Sequence, residues 1–237
     1  MFTTFQPIDR QSRSVTYPAT GSVPAKRIDA GVLERLEPTA ITVRAERDEE
    51  IVAQGEPAGF CYLVVSGCVR TVQLMEDGRR QVGEFLFPGD LFGWDAVDEH
   101  DFAAEAVTPV SLCRYATRSL DALADADRDV ARRMRSLTSS RLRAGRDRVV
   151  LLGRKTAVER IASFLLEMVG RMNTDGQALI ELPMSRADMA DYLGLTIETV
   201  CRCLTRLRRN GTIAIERASI AICDRRALGA ASCALVH

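Results

Sequence analysis

The sequence predicts an α+β chain in three consecutive parts: a β-barrel or jelly roll, one long polar helix, and a helical domain closed by a β-hairpin. Three observations carry this expectation. Short apolar runs separated by glycine and proline turns fill residues 31–118; a proline-free, charge-rich run fills 119–153; and from 154 onward apolar residues recur at helical spacing between capping residues. The 237 residues suit one large domain or two small ones, and 46% apolar with 27% charged residues is ordinary globular composition.

Residues 1–30 read as an irregular arm, because Pro7, Pro18, Gly21 and Pro24 interrupt any period. In 31–118, turns at Gly55, Gly67, Asp77-Gly78, Pro88-Gly89-Asp90 and Gly93 separate the expected strands Phe60–Ser66, Val69–Met75, Arg80–Phe87 and Glu105–Tyr115. Asp77-Gly78 reads as a hairpin tip with a primed turn, which needs positive φ.

Residues 119–153 form the expected long helix, about 50 Å at 1.5 Å per residue. Its apolar seam is thin, so a pairing with a second copy is expected, through Val130, Met134, Leu137, Arg141, Leu142, Val149 and Leu152. The heptad register is open: one frame places Arg141 and Arg148 on the seam, the other Thr138 and Gly145.

The third part, 154–237, begins with a capping box at Thr156-Ala-Val-Glu159. A short strand follows at Leu179–Leu182. A helix starts at Ser185-Arg-Ala-Asp188 and stops at Gly194; the next is capped by Thr196 and runs to about Arg209. Asn210-Gly211 then turns into a hairpin. Helix, turn, helix and hairpin make a winged helix-turn-helix.

Charge is unevenly placed. Lys and Arg against Asp and Glu number 13 against 22 in 1–130, 8 against 1 in 131–154, and 11 against 9 in 155–237, although the whole chain is neutral. A basic rear half points to a polyanionic partner. Seven scattered cysteines without a C-x-x-C pair, and two histidines, do not form a disulfide framework or a zinc site, so no metal or other cofactor is expected. One barrel histidine, His100, is too few for a metal-dependent barrel enzyme, and no Ser-His-Asp or Cys-His arrangement is visible. His100 is expected in a solvent-facing loop. No apolar run reaches the ~18–20 residues of a membrane span, and the N-terminus lacks a signal-peptide core, so a cytoplasmic location is expected.

On the helix after Gly194, Ile197, Val200, Leu204 and Leu207 form an apolar stripe. The opposite face shows Glu198, Cys201, Arg202 and Thr205 near the end that enters a DNA major groove in this motif. Arg202 suits guanine O6 and N7, and Glu198 suits the cytosine amine. Ser185, Thr196, Thr199, Thr205, Arg206, Arg208, Arg209 and Arg217 are the expected phosphate contacts. Read blandly, Glu198 and Arg202 are an i,i+4 surface pair. Oxidation of Cys201 would add bulk and negative charge beside phosphates, giving a redox-sensitive contact; the plain alternative is a small groove-facing residue.

Arg186-Ala-Asp-Met-Ala-Asp-Tyr-Leu-Gly-Leu-Thr-Ile-Glu-Thr-Val-Cys-Arg202 resembles the helix-turn-helix of the Crp/Fnr superfamily, and Leu195–Leu204 is most similar to its FixK-like branch. The segment Gly55–Gly93 resembles the family's cyclic-nucleotide-type barrel. The resemblance implies a homodimer on a TTGAT-N4-ATCAA palindrome, read by Glu198, Cys201 and Arg202. The expected function is promoter binding with activation through RNA polymerase; low-oxygen or nitrogen-fixation metabolism is implied by the resemblance alone. The barrel departs from cyclic-nucleotide binders: Phe92-Gly93-Trp94 lacks the ribose-binding Glu, and His100–Glu105 offers carboxylates and no Arg for a phosphate. The cysteine pattern departs from cluster-bearing relatives as well, Cys61 being the first in the chain. The competing expectation is a regulator gated by an unidentified small molecule in the barrel.

Overall fold

A computed structural model describes residues 32, 35, 40–172, 179–216 and 219–232. The expected arm 1–30, Arg217 and Cys233 lie outside these residues.

Val32 and Arg35 are helical. Eight strands follow: β1 Ile41–Ala45, β2 Glu50–Val52, β3 Phe60–Ser66, β4 Val69–Leu74, β5 Arg80–Leu86, β6 Leu91–Phe92, β7 Ala103–Ala106 and β8 Val110–Ala116. They form two antiparallel four-stranded sheets, ordered β1-β8-β3-β6 and β2-β7-β4-β5. The expected barrel is thus a jelly-roll-like sandwich of two sheets, not a closed barrel. The strand expected at Glu105–Tyr115 is two strands, because Pro109 removes a ladder N–H from the run. At the β4–β5 tip only Gly78 takes positive φ (82°), so the turn is a longer Met75–Arg79 loop, not a two-residue primed turn.

Alternation along β3 shows how the sandwich is filled. Tyr62 and Val64 point between the sheets, with Val69, Leu86, Phe92, Ala104, Ala106 and Leu112. Cys61 and Leu63 point outward, yet they are buried beneath Leu120, Val130 and Leu137. A strand covered on both faces reads as a near-continuous apolar run, which is how Phe60–Ser66 looks.

The expected single helix over 119–153 is two: α1 Thr117–Ala126 and α2 Arg128–Arg154. Asp127 takes extended backbone (φ −133°, ψ 114°) and its carboxylate accepts from the amides of Asp129 and Val130, so it caps a new helix. Lys155 is again extended, and α3 Ala157–Met172 follows behind the Thr156–Glu159 capping box, in which the Thr156 hydroxyl donates to Glu159 at 2.7 Å.

The remaining elements are β9 Leu179–Glu181, α4 Arg186–Leu193, α5 Ile197–Arg209, β10 Ile213–Glu216, β11 Ser219–Ile222 and α6 Arg225–Ala231, with a small sheet ordered β10-β11-β9. Phe164, Leu165, Met168, Met189, Leu193, Val200 and Leu207 fill this domain's core. The same core takes in Val72, Val82 and Phe85 from the outer side of the second sheet. Phe85, Phe164 and Tyr192 meet edge-on or tilted at 5.2–6.3 Å, so one aromatic cluster bridges sandwich and helix-turn-helix.

Candidate nucleic-acid interface

Helix α4 starts with a complete capping box: the Ser185 hydroxyl accepts from the Asp188 amide, and the Asp188 carboxylate accepts from the Ser185 amide at 2.9 Å. It ends at Gly194, whose left-handed backbone (φ 60°, ψ 45°) turns the chain without a Cβ penalty. Thr196 then caps α5, its hydroxyl accepting from the Thr199 amide at 3.3 Å. These two caps and one glycine set the angle of the second helix against the first.

Val200, Cys203, Leu204 and Leu207 are the buried side of α5. Glu198, Cys201, Arg202, Arg206, Arg208 and Arg209 are exposed, and Thr199 and Thr205 are half-buried. The expected base-facing trio therefore shares one solvent-facing side of the helix. Arg202 donates to the Thr199 hydroxyl at 3.0 Å, and that hydroxyl lies 3.1 Å from Thr196. Glu198 is held below the usual carboxylate range by the helix N-terminal amide, the Thr196 hydroxyl and Arg202, so it remains an acceptor. Ser185 is exposed, with its hydroxyl committed to the capping box.

Two residues stand differently from expectation. Ile197, expected in the buried stripe, is 47% exposed, because the first turn of α5 has no preceding turn packed over it. Arg186, not singled out as a contact, is half-buried, and burial lowers it from the usual guanidinium range.

The long helix α2 has two faces. Val130 and Leu137 are buried against the chain's own sandwich, with Met134 packed beside them. Arg141 joins that face: it pairs with Asp95, donates to the Leu91 carbonyl at 3.3 Å, and lies 5.3 Å from the Trp94 ring. These four expected pairing residues are therefore occupied within one copy. Leu142 (57% exposed) and Val149 (72% exposed) face outward, in line with exposed Thr138 and Gly145, and Leu152 is half-buried. The register with Arg141 and Arg148 faces inward; the register with Thr138 and Gly145 faces out.

A Crp-like helix-turn-helix domain matches residues 159–231, and a cyclic nucleotide-binding domain matches residues 42–127. The nitrogen fixation regulation protein FixK of Azorhizobium caulinodans is 43% identical over 186 residues, 77% of this chain and 75% of the relative. The chain belongs to the Crp/Fnr family. Within this family it is also similar to the transcriptional activator protein FnrL of Cereibacter sphaeroides, at 34% identity over 80% of the chain and 79% of the relative. The structure of FixK2 from Bradyrhizobium japonicum superposes with a TM-score of 0.79 at 42% identity, over 83% of this chain and 99% of that one.

Within the region of this Crp/Fnr protein that matches the cyclic nucleotide-binding domain, the chain turns at Gly93, whose φ is 76°. His100 lies behind it, 2% exposed, with its Cε1 3.0 Å from where a Gly93 Cβ would stand. The expected solvent-facing histidine is buried, since the segment that follows β2 holds its backbone: the His100 amide donates to the Glu56 carbonyl and its carbonyl accepts from the Gly55 amide. Glu105 faces away from the sandwich interior and pairs with Arg70 at 2.7 Å. Burial pushes the Cys61 and Cys68 thiols up to about 12, while Cys113 is half-buried. Among the described residues no group of three or more His, Cys, Asp or Glu is placed to hold a metal ion, and no helix is long and apolar enough to cross a membrane.

Proposed function

We propose that this Crp/Fnr protein binds a TTGAT-N4-ATCAA-like promoter palindrome as a cytoplasmic homodimer and activates transcription by contacting RNA polymerase. The observation that carries the reading is the exposed Glu198, Cys201 and Arg202 face at the N-terminal half of α5, rimmed by Arg206, Arg208 and Arg209. Arg202 offers a bidentate donor to guanine, Glu198 an acceptor to the cytosine amine, and exposed Ile197 an apolar contact to a thymine methyl. Thr138, Leu142, Gly145, Val149 and Leu152 repeat at spacings of four and three, which is a heptad seam for the second copy. Two reading helices about 34 Å apart then meet successive turns of one DNA face.

Binding without cyclic nucleotide or iron–sulfur cluster is supported by chemistry. Where a nucleotide phosphate would need a cation, the segment 100–105 offers buried His100, exposed Asp101, and Glu105 already paired with Arg70. Cys61, Cys68 and Cys113 lie on β3, the β3–β4 turn and β8, and Cys61 and Cys68 are held as thiols by burial. Inactivation through oxidation of Cys201 is supported by its exposure on the reading face beside Glu198 and Arg202.

Selection of bound duplexes from a random pool, with no small molecule added, tests the reading. The expected product is a palindrome with two equal half-sites. Enrichment only after a ligand is supplied would favour the effector-gated alternative, and enrichment of single half-sites would remove the dimer.

A further inference from the structure

Helix α4 belongs to the helix-turn-helix, yet the polar groups at both its ends are taken by side chains from elsewhere. At the N-terminus, the Asp188 oxygen not used by Ser185 accepts from Arg70 at 3.1 Å and from Arg80 at 2.9 Å, out of β4 and β5. Arg80 also donates to Asp191 at 2.6 Å. Arg70 is anchored in turn by Glu105 at 2.7 Å and Asp48 at 3.0 Å.

At the C-terminus, the last carbonyls of a helix have no helical N–H to accept from. Here Gln81 donates to the Asp191 carbonyl, and Arg148 of the long helix donates to the Tyr192 carbonyl with its guanidinium 3.5 Å from the Tyr192 ring centre. Arg160 donates to the Leu193 carbonyl at 2.9 Å and to Gly194 at 3.3 Å. The same guanidinium reaches the Leu152 carbonyl at 2.8 Å and the Lys155 carbonyl at 3.0 Å, at the end of α2. A helix C-terminus carries partial negative charge, so cations are the fitting partners. One arginine thus joins the end of the pairing helix to the turn that launches the reading helix, across the joint at Lys155.

We propose that Arg80, Arg148 and Arg160 are positioning residues for DNA binding: they strap the helix-turn-helix to the sandwich and the long helix, so the separation of the two reading helices in a dimer is built into the chain and no effector sets it. This rests on the palindrome-binding dimer proposed above. Without the strap, the aromatic cluster and the Arg171–Asp90 pair still join the domains, but the joint at Lys155 loosens and the dimer measures the distance between half-sites less sharply. The group with freedom to move is the whole reading unit, not a single contact.

The test uses the full-length protein and palindromes whose spacer is the preferred length, or one base pair shorter or longer. Each inserted pair rotates a half-site by about a tenth of a turn. Wild type is expected to lose about tenfold or more in affinity on either altered spacer. The Arg80→Gln/Arg148→Gln variant is expected to lose about tenfold on the preferred spacer and much less on the others, so the spacing preference collapses. Arg80→Lys, which keeps a cation between Asp188 and Asp191, should retain the preference, a rescue by the conservative variant that a general packing defect would not give. If the double variant fails to fold, Asp191→Asn, which removes the charge of one half-buried partner of Arg80, carries the same comparison. Folded, dimeric variants that keep the wild-type spacing ratio overturn the strap alone. A wild type that binds all spacings alike overturns the palindrome reading, and the strap with it.

Discussion

Arg171 on α3 donates to the Asp90 carboxylate on the loop entering β6, across the boundary between helix-turn-helix and sandwich, with both side chains under a tenth exposed. The same guanidinium donates to the Phe85 carbonyl and lies 4.9 Å from the Phe87 ring, while Asp90 also accepts from the Phe87 amide at 2.7 Å. Removing one partner of a buried pair leaves the other charge without its counterpart, which costs about 3–5 kcal/mol. Arg171→Met is expected to lower stability by about that amount in urea unfolding. A loss under about 1 kcal/mol, the range of surface pairs, would mean that water reaches Asp90.

The outward seam predicts what controls assembly. Val149 has little to lose within one copy, so Val149→Arg should leave monomer stability within about 0.5 kcal/mol. It should shift the protein to monomers in sedimentation equilibrium and weaken binding to the palindrome. Val130→Ala should do the reverse, because Val130 packs on its own sandwich: stability falls and the dimer persists. A dimer unaffected by Val149→Arg would place the contact elsewhere.

Readout and rim should separate. Arg202→Ala is expected to cost about 1–3 kcal/mol at one guanine per half-site and to relax specificity there. Arg208→Ala should weaken specific and random DNA alike and reduce the salt slope by about one. Equal losses on both kinds of DNA for Arg202→Ala would make it a phosphate contact only.

Acid should loosen the link between the domains. Burial alone raises the Asp188 carboxyl, but the Ser185 hydroxyl and amide and the Arg70 and Arg80 charges outweigh it and bring the carboxyl below the ordinary range. A carboxylate with a lower pKa folded than unfolded adds stability above the unfolded value, about 3.9, and loses it as pH falls through the folded value. Urea unfolding of wild type should therefore steepen its decline below about pH 4, and Asp188→Asn should be flatter over that range at lower overall stability. Parallel acid limbs would show that Asp188 is not held by these partners.

Peroxide should abolish DNA binding through Cys201, since a sulfinic or sulfonic acid there opposes phosphates. Titration in gel shifts should spare Cys201→Ser, with buried Cys203→Ser behaving as wild type. Loss of binding by Cys201→Ser at the wild-type dose would move the sensitivity to another residue.

Local chemistry was legible and distant contact was not. Phe60–Ser66, the Thr156–Glu159 capping box, the helix start at Ser185 and the Gly194 turn stood in the sequence because each is a short pattern with a local cause. The break at Asp127 carried its signal, an N-cap residue, but good helix formers on either side masked it. The heptad ambiguity was real in sequence, since Arg141 and Arg148 fit a seam until Asp95 and the Tyr192 carbonyl are seen to occupy them. His100, Arg70 and Arg160 could not be found by periodicity, because their partners lie across the fold.

The cap at Asp127 also decides how this chain tolerates changes of length. In an unbroken helix, one inserted residue turns everything after it by about 100°, which would carry Leu142 and Val149 off the outer face. Here α2 takes its phase from Asp127 and from Val130 and Leu137 seated on the sandwich. Insertions before Asp127 are absorbed at the break, so α1 can change length without turning α2, whereas a single residue gained between Leu137 and Lys155 would misalign the seam and the reading unit together.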